Sequence, residues 1–446
     1  MADSVAMTDK LNFGDVRRRA VSARSIKMKL PAINGAGSFS PGQSIIVQLP
    51  GNQENTFYDL SKTYLQFTIT NSAGGAGNAN DAYLDGLSGA YCLFDRLTVS
   101  QAGTVINDVT GYNVLMSALM ATHSSKDYNM NVASTLIGCG SAGAAKVGAL
   151  VEEASANPVT VALPIAGCGI AQLTPQRYLP AFSRGGIQLQ YYLDSMVNSV
   201  VSAGTPVLAI TNVELVTTAV QLSPEAGRLV DELVGGNYTM LQSDYRGTTA
   251  TVTGTGAATS HVSTLGFSFS SLDRVYWVAR SSDSQTQANN SIGARSNATA
   301  SEFSMTVGSQ TFPDRPVVVG GAIDNVTYGT GALAELLVAQ GSLTNYSVPT
   351  QLNTQANYAY QSKYAVSNSD GSTEAKTGSF VAAVECESME GSSGLFSGTN
   401  TVGSITQFKH EFSALPAKTF TLNYYANFTS QLSLNMRALG VFQVSV

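Results

Sequence analysis

Apolar and polar residues alternate with a period of two through many short stretches, the pattern of strands that bury one face. Ser44-Ile45-Ile46-Val47-Gln48-Leu49 runs into Pro50-Gly51, and Tyr64-Leu65-Gln66-Phe67-Thr68-Ile69-Thr70 runs toward Gly74-Gly75. Residues 93–99 read as a strand that turns at Gln101-Ala102-Gly103 into Thr104-Val105-Ile106, a predicted hairpin. The period then changes, and the apolar spacing of residues 112–120 predicts a helix. Strands are predicted again over 159–163, 187–193, 207–210 and 213–220. Ser223-Pro224-Glu225 has the form of a helix start, with Ser223 as cap and proline in the first turn, and Gly235-Gly236 supplies the stop. Beyond it the strand pattern restarts over 262–269, 275–279, 303–307 and 317–319. One helical stretch follows at 332–338, then strands at 380–384, 408–412, 420–425 and 439–446.

Short strands with turn signals between them, one apolar helix per half and a helix at the midpoint describe two β-sandwiches in tandem. The expected division is an N-terminal arm over 1–35, a first sandwich over 36–222, a connector helix over 223–240 and a second sandwich over 241–446. Phe94-Asp95-Arg96-Leu97 and Leu272-Asp273-Arg274-Val275 echo each other at the opening of a strand in each half. A local salt bridge at a sheet edge explains such a pair better than duplication does.

Composition narrows the class. Charged residues are 12% of the 446, about half the usual share, while hydrophobic residues are 43%. That profile is neither that of a disordered chain nor that of a helical bundle with charged outer stripes. It suits an all-β protein, or one that buries polar surface in an assembly. No run of 18 apolar residues predicts a transmembrane helix, and the N-terminal stretch lacks the apolar core of a secretion signal. Cys92, Cys139, Cys168 and Cys386 form no CxxC pair, so buried, reduced thiols in a cytosolic or nuclear setting are expected rather than disulfides or a zinc site.

A net charge of −6 argues against general nucleic-acid binding. The exception is local: Arg17, Arg18, Arg19, Arg24, Lys27 and Lys29 place six of the 24 basic groups within 18 residues. Such an arm can meet nucleic acid, a membrane face or an acidic subunit, or it can be solvated or close against its own protein. Catalytic signals are weak. His123, His261 and His410 fall in no metal-binding pattern, and neither a GxSxG elbow nor a phosphate-binding loop occurs. Glu152-Glu153 and Glu385 with Glu387 are carboxylate pairs that could serve glycoside hydrolysis, but solvated side chains account for them better, with Glu385 and Glu387 on one face of a strand. No catalytic, cofactor or metal site is expected.

Four segments resemble a double jelly-roll major capsid protein, of the kind found in polinton-like and related eukaryotic DNA viruses. Phe57-Tyr58-Asp59-Leu60-Ser61-Lys62-Thr63-Tyr64-Leu65-Gln66-Phe67 resembles the early strand of a first roll. Tyr83-Leu84-Asp85-Gly86, Leu93-Phe94-Asp95-Arg96 and Tyr112-Asn113-Val114-Leu115 resemble its next strands and helix. Arg184-Gly185-Gly186-Ile187-Gln188-Leu189, Asn212-Val213-Glu214-Leu215 and Leu222-Ser223-Pro224-Glu225 are similar to its closing strands and connector. The stretch from Phe380-Val381 to Phe396-Ser397-Gly398 resembles the late strands of a second roll. The resemblance implies two eight-stranded jelly rolls, pseudo-hexameric homotrimers tiling an icosahedral shell, and a place in the virion after assembly inside the host cell. It implies contacts with neighbouring capsomers and with penton and minor capsid proteins. It also implies an inner-face role for the basic arm against a minor capsid protein, an internal membrane or genome. A two-domain sandwich that binds ligands, such as a lectin-like spike or fibre, is the alternative, with Tyr424 and Tyr425 as candidate sugar contacts.

Overall fold

The computed structural model describes residues 23–35, 37–74, 79–125, 128–140, 147–174, 177–282, 292, 295–319, 330–343, 366–367, 373–374, 380–387, 396–435 and 440–445. In the first half the main strands are β1 (Ala23–Pro31), β2 (Ser44–Leu49), β3 (Thr56–Asn71), β4 (Phe94–Gln101), β5 (Thr104–Thr110), β6 (Val159–Pro164), β7 (Leu173–Thr174), β8 (Ile187–Leu193) and β9 (Leu208–Leu222). One sheet runs β1-β9-β3 and carries β6 and two short strands at its borders; the other runs β2-β8-β4-β5. The second half contributes β10 (Asn237–Thr253), β11 (Thr259–Leu265), β12 (Leu272–Ser281), β13 (Ala300–Val307), β14 (Gln310–Val318), β15 (Ala382–Glu385), β16 (Thr406–Phe412), β17 (Thr419–Asn435) and β18 (Phe442–Ser445). Its sheets run β7-β10-β17-β12-β15, with β18 on β17, and β11-β16-β13-β14. Each half therefore centres on a six-stranded sheet and a four-stranded one, the second half's larger sheet counting β7 from the first half.

The alternation of side chains decides which face closes. On β2 every second residue is buried, and Ile45, Val47 and Leu49 point into the first core. Phe67 of β3 meets Phe94 of β4 edge-on at 5.8 Å, and Phe94 meets Tyr191 of β8 at 5.1 Å, so the aromatic rings tie the two sheets together. In the second core Trp277 of β12 touches Phe303 of β13 at 5.5 Å, Phe380 at 5.1 Å and His410 of β16 at 4.5 Å.

Three helices of ten residues or more complete the frame among the described residues. Helix α1 (Tyr112–His123) is apolar nearly all round and is buried against the first roll, anchored by Tyr112 Oη donating to the Ala166 carbonyl at 2.8 Å. Helix α2 (Pro224–Val234) joins the halves. As expected, the Ser223 hydroxyl accepts from the Ala226 amide, and Gly235 ends the helix in the left-handed region at φ 67°. Helix α3 (Thr330–Ala339) buries Ala332, Leu336 and Ala339 beside β15.

Two local readings change. The chain enters the sheet before Pro31: β1 pairs with β9 over its full length, from Ala23 opposite Leu222 to Pro31 opposite Glu214. The stretches 207–210 and 213–220 are one strand, β9, whose register slips where Asn212 takes a left-handed φ of 53°. Asparagine tolerates that conformation, and the bulge keeps the apolar face inward on both sides of it. Most of residues 281–300 and 366–379 lie outside the described residues.

Replacing Trp277 with alanine should cost about 3–5 kcal/mol, because a void would open where four strands and Phe380 converge. Urea unfolding followed by far-UV circular dichroism measures it, and a loss of about 1 kcal/mol or less would show that the indole does not hold the second core together.

Candidate functional site

The halves are joined by more than the connector. Strand β7 comes from the first half yet pairs with β10, Leu173 opposite Gln242 and Thr174 opposite Leu241, so the first roll extends the second roll's sheet. Beside that pairing Asp244 of β10 is buried. Its carboxylate accepts from the Gly169 amide at 3.0 Å, the Tyr245 amide at 2.8 Å and Asn107 Nδ2 at 2.7 Å, and Asn107 Oδ1 accepts from the Ile170 amide at 3.2 Å. Burial pushes the Asp244 carboxyl up to about 6; the three donors moderate that rise without cancelling it.

Close backbone approach makes the seam tight. A Cβ on Gly247 would lie 2.3 Å from the Thr110 carbonyl oxygen, and one on Gly169 would lie 2.8 Å from Oε1 of the Gln242 side chain across the seam. Thr110 Oγ1 donates to the Gly247 carbonyl at 3.0 Å, and Tyr425 Oη donates to the Gly111 carbonyl at 3.0 Å. At another point the Phe442 amide of β18 donates to Gln101 Oε1 at 2.7 Å. Arg295, from the second half, is wholly buried and donates to Ser117 Oγ of α1 at 2.7 Å. Burial lowers its guanidinium to about 10, with Asp85 opposing the shift, so it stays charged at neutral pH.

The basic stretch divides. Arg17, Arg18 and Arg19 lie outside the described residues. Arg24, Lys27 and Lys29 sit on β1, where the period of two turns Lys27 and Lys29 to one face and Arg24 to the other. Lys29 Nζ pairs with Glu214 Oε2 at 2.9 Å, and Lys27 Nζ lies 5.6 Å from the centre of the Tyr64 ring. Near the junction of β9, α2 and β10 opens a cleft of about 890 Å³. Phe57 and Leu222 from the first half, Val230 and Val234 from α2, and Tyr238 and Met240 from β10 line it. The sequence reading missed this cleft, because its walls are distant in the chain.

The residues with catalytic potential are used structurally. His261 and His410 stand opposite each other on β11 and β16, a pairing that their positions in the chain do not reveal. His410 Nε2 lies 3.0 Å from Tyr424 Oη, which lies 2.8 Å from Ser263 Oγ, and burial drives the imidazole down to about 3. It is a neutral core group. His123 ends α1, with Nδ1 2.8 Å from Thr122 Oγ1. Glu387 pairs with Arg274 at 3.3 Å, and Glu385 closes β15 opposite the same arginine. The Asp-Arg echo separates too: Arg96 makes two 2.7 Å bonds to Asp108, and β4 and β12 lie in sheets of different size. Tyr424 and Tyr425 are buried, which removes them as sugar contacts. Among the described residues no three His, Cys, Asp or Glu side chains gather to hold a metal.

Neither a family model nor a curated protein matches the chain. Solved structures do. The chain is similar to PBCV-1 VP54, as fitted into a reconstruction of the virophage Sputnik, at 13% identity and a TM-score of 0.58 over 96% of this chain and 98% of that one. The Faustovirus major capsid protein matches at 9% identity and 0.59, over 93% of this chain and 91% of the other. A chain of the Sputnik virophage matches at 10% and 0.55, over 100% and 93%. The fold is that double jelly roll, from the first sheet to the last.

The raised pKa of Asp244 has a sign that can be measured. A carboxyl near 6 in the folded state and near 3.8 when unfolded binds its proton more tightly when folded. Its contribution is full below about pH 4 and is lost as pH rises through 6, amounting to up to about 3 kcal/mol. Asp273 acts in the same sense and the depressed histidines in the opposite one, so the variant must be compared with wild type. Asp244→Asn should gain stability relative to wild type on going from pH 4 to pH 7. Parallel stability–pH curves for the two proteins would contradict this.

Proposed function

We propose that the chain is a major capsid protein, forming homotrimeric capsomers of pseudo-hexameric outline that tile an icosahedral virion shell. The observation that carries this reading is the extent of the likeness: both rolls and their junction match solved capsid chains along nearly the whole length of each partner. The seam supports it further. A shell subunit must present its two rolls at a constant angle, and Asp244, Asn107, Gly169 and Gly247 hold the halves through bonds and contacts that leave little room to slide.

The physics of tiling agrees with the composition. Two rolls per chain in a three-fold trimer give six comparable side walls, and closed sandwiches protect their strand edges from uncontrolled pairing. A charged fraction of 12% limits the cost of burying unpaired charge between neighbours, while Ser, Thr, Asn and Gln bond across the contact. Neighbouring capsomers, penton proteins and minor capsid proteins are the partners this reading implies. The stretch ahead of β1, with Arg17, Arg18 and Arg19, would face the inside of the shell, where a minor protein, a membrane or genome lies.

Light scattering on the purified protein should give about 140 kDa, three times the 46.6 kDa of one chain, and negative-stain images should show a hexagonal outline with three-fold symmetry. A monomer at every concentration would overturn the reading. Removing residues 1–22 leaves β1 whole, so trimers should persist while shell assembly is impaired. Unchanged assembly of the shortened protein would remove the inner-face role.

A further inference from the structure

The cleft between β9, α2 and β10 is apolar within and cationic at its mouth. Phe57, Leu60, Val220, Val230, Tyr238 and Met240 supply walls from both rolls and the connector, around about 890 Å³. That volume lies in the range of roughly 300–1,000 Å³ typical of sites that bury a small molecule. The charged groups on the lining are Asp59, Lys62 and Arg177. Asp59 is taken up by Lys62 Nζ at 3.0 Å and by the Ser61 hydroxyl, so Arg177 gives the mouth its net positive charge. A guanidinium has five N–H donors, and among the described residues Arg177 makes one bond, to the Thr239 carbonyl at 3.1 Å. Apolar surface continues past the mouth: Leu229 and Leu233 of α2 are 60% and 79% exposed, an uncommon state for two leucines one helical turn apart.

We propose that this cleft binds a single-chain amphiphile with an anionic head, the alkyl tail lying against Val220, Val230 and Met240 and the head at Arg177. The tail gains from leaving water, and a carboxylate or phosphate head receives charge-assisted, two-pronged bonds from the guanidinium. A peptide suits the cleft less well, because its N–H and C=O groups recur along its whole length and need partners when buried, whereas the walls are mostly apolar. A cationic head would meet Arg177 directly. The site is independent of shell building, so its failure would leave the capsid reading standing.

Four probes of equal tail length separate the outcomes: laurate, monododecyl phosphate, dodecyl maltoside and dodecyltrimethylammonium, each below its micelle concentration. Calorimetry and thermal shift on the full chain should show binding and a raised Tm with the two anions, and far weaker effects with the other two. Val220→Trp and Val230→Trp fill the cleft from opposite walls, and each should abolish the shift while melting cooperatively by itself. Arg177→Gln should weaken anion binding about tenfold and leave the unliganded Tm in place. Equal response to all four heads, no binding by any, or binding that survives both tryptophan variants would overturn the assignment. So would a concentration-dependent dimer that Val220→Trp dissolves, because a second copy would then be the occupant.

Discussion

A buried carboxylate that only two rolls together can satisfy is the constraint on which the architecture rests. Asp244 belongs to the second roll, yet two of its three donors, the Gly169 amide and the Asn107 side chain, belong to the first. Either roll alone would leave that charge without those bonds, at a cost well above the gain from one surface contact. The glycines nearby fit the same demand: the two backbones nearly touch at Gly247, and at Gly169 the Asn107 and Gln242 side chains leave no room for a Cβ. The pairing of β7 with β10 then makes the junction part of a sheet.

The two cores are solved differently. The first closes on apolar strand faces and a buried helix, with Phe67, Phe94 and Tyr191 bridging its sheets. The second gathers Trp277, Phe303, Phe408, His410 and Tyr424 into one aromatic mass. It accepts a polar burden there: Trp277 Nε1 and His410 Nδ1 have no hydrogen-bond partner among the described residues. Tight ring packing outweighs that loss only while the imidazole is neutral, as its depressed pKa ensures at ordinary pH.

Surface chemistry follows from where charge is absent. Of the basic groups on β1, Lys29 pairs with Glu214, Lys27 lies over the Tyr64 ring and Arg24 is on the other face, so they do not form one patch. Around α2 the distribution is reversed, with Glu225, Arg228, Asp231 and Glu232 on one side of the helix and Leu229, Val230, Leu233 and Val234 on the other. Only Gly227 of this helix is buried within the chain, so its apolar side is spare contact area at the junction of the rolls.

The residues alone determined most of the local structure. Period-two runs such as Ser44–Leu49 and Ile187–Leu193 are strands with those bounds, and the cap at Ser223 and stop at Gly235 frame α2. The same signal was present in β1, where Ile26, Met28 and Leu30 alternate with polar neighbours, but the arginines and lysines between them suggested a solvated arm. Such patterns are readable because backbone geometry and solvent act on neighbours in the chain. Tertiary structure alone decided that Asn107, 137 positions from Asp244, would complete its shell of donors, that His261 would face His410, and that a cleft would open beside α2. Those contacts depend on which strands share a sheet and in what register, and that choice is made by the closure of two cores at once, across separations no local period encodes.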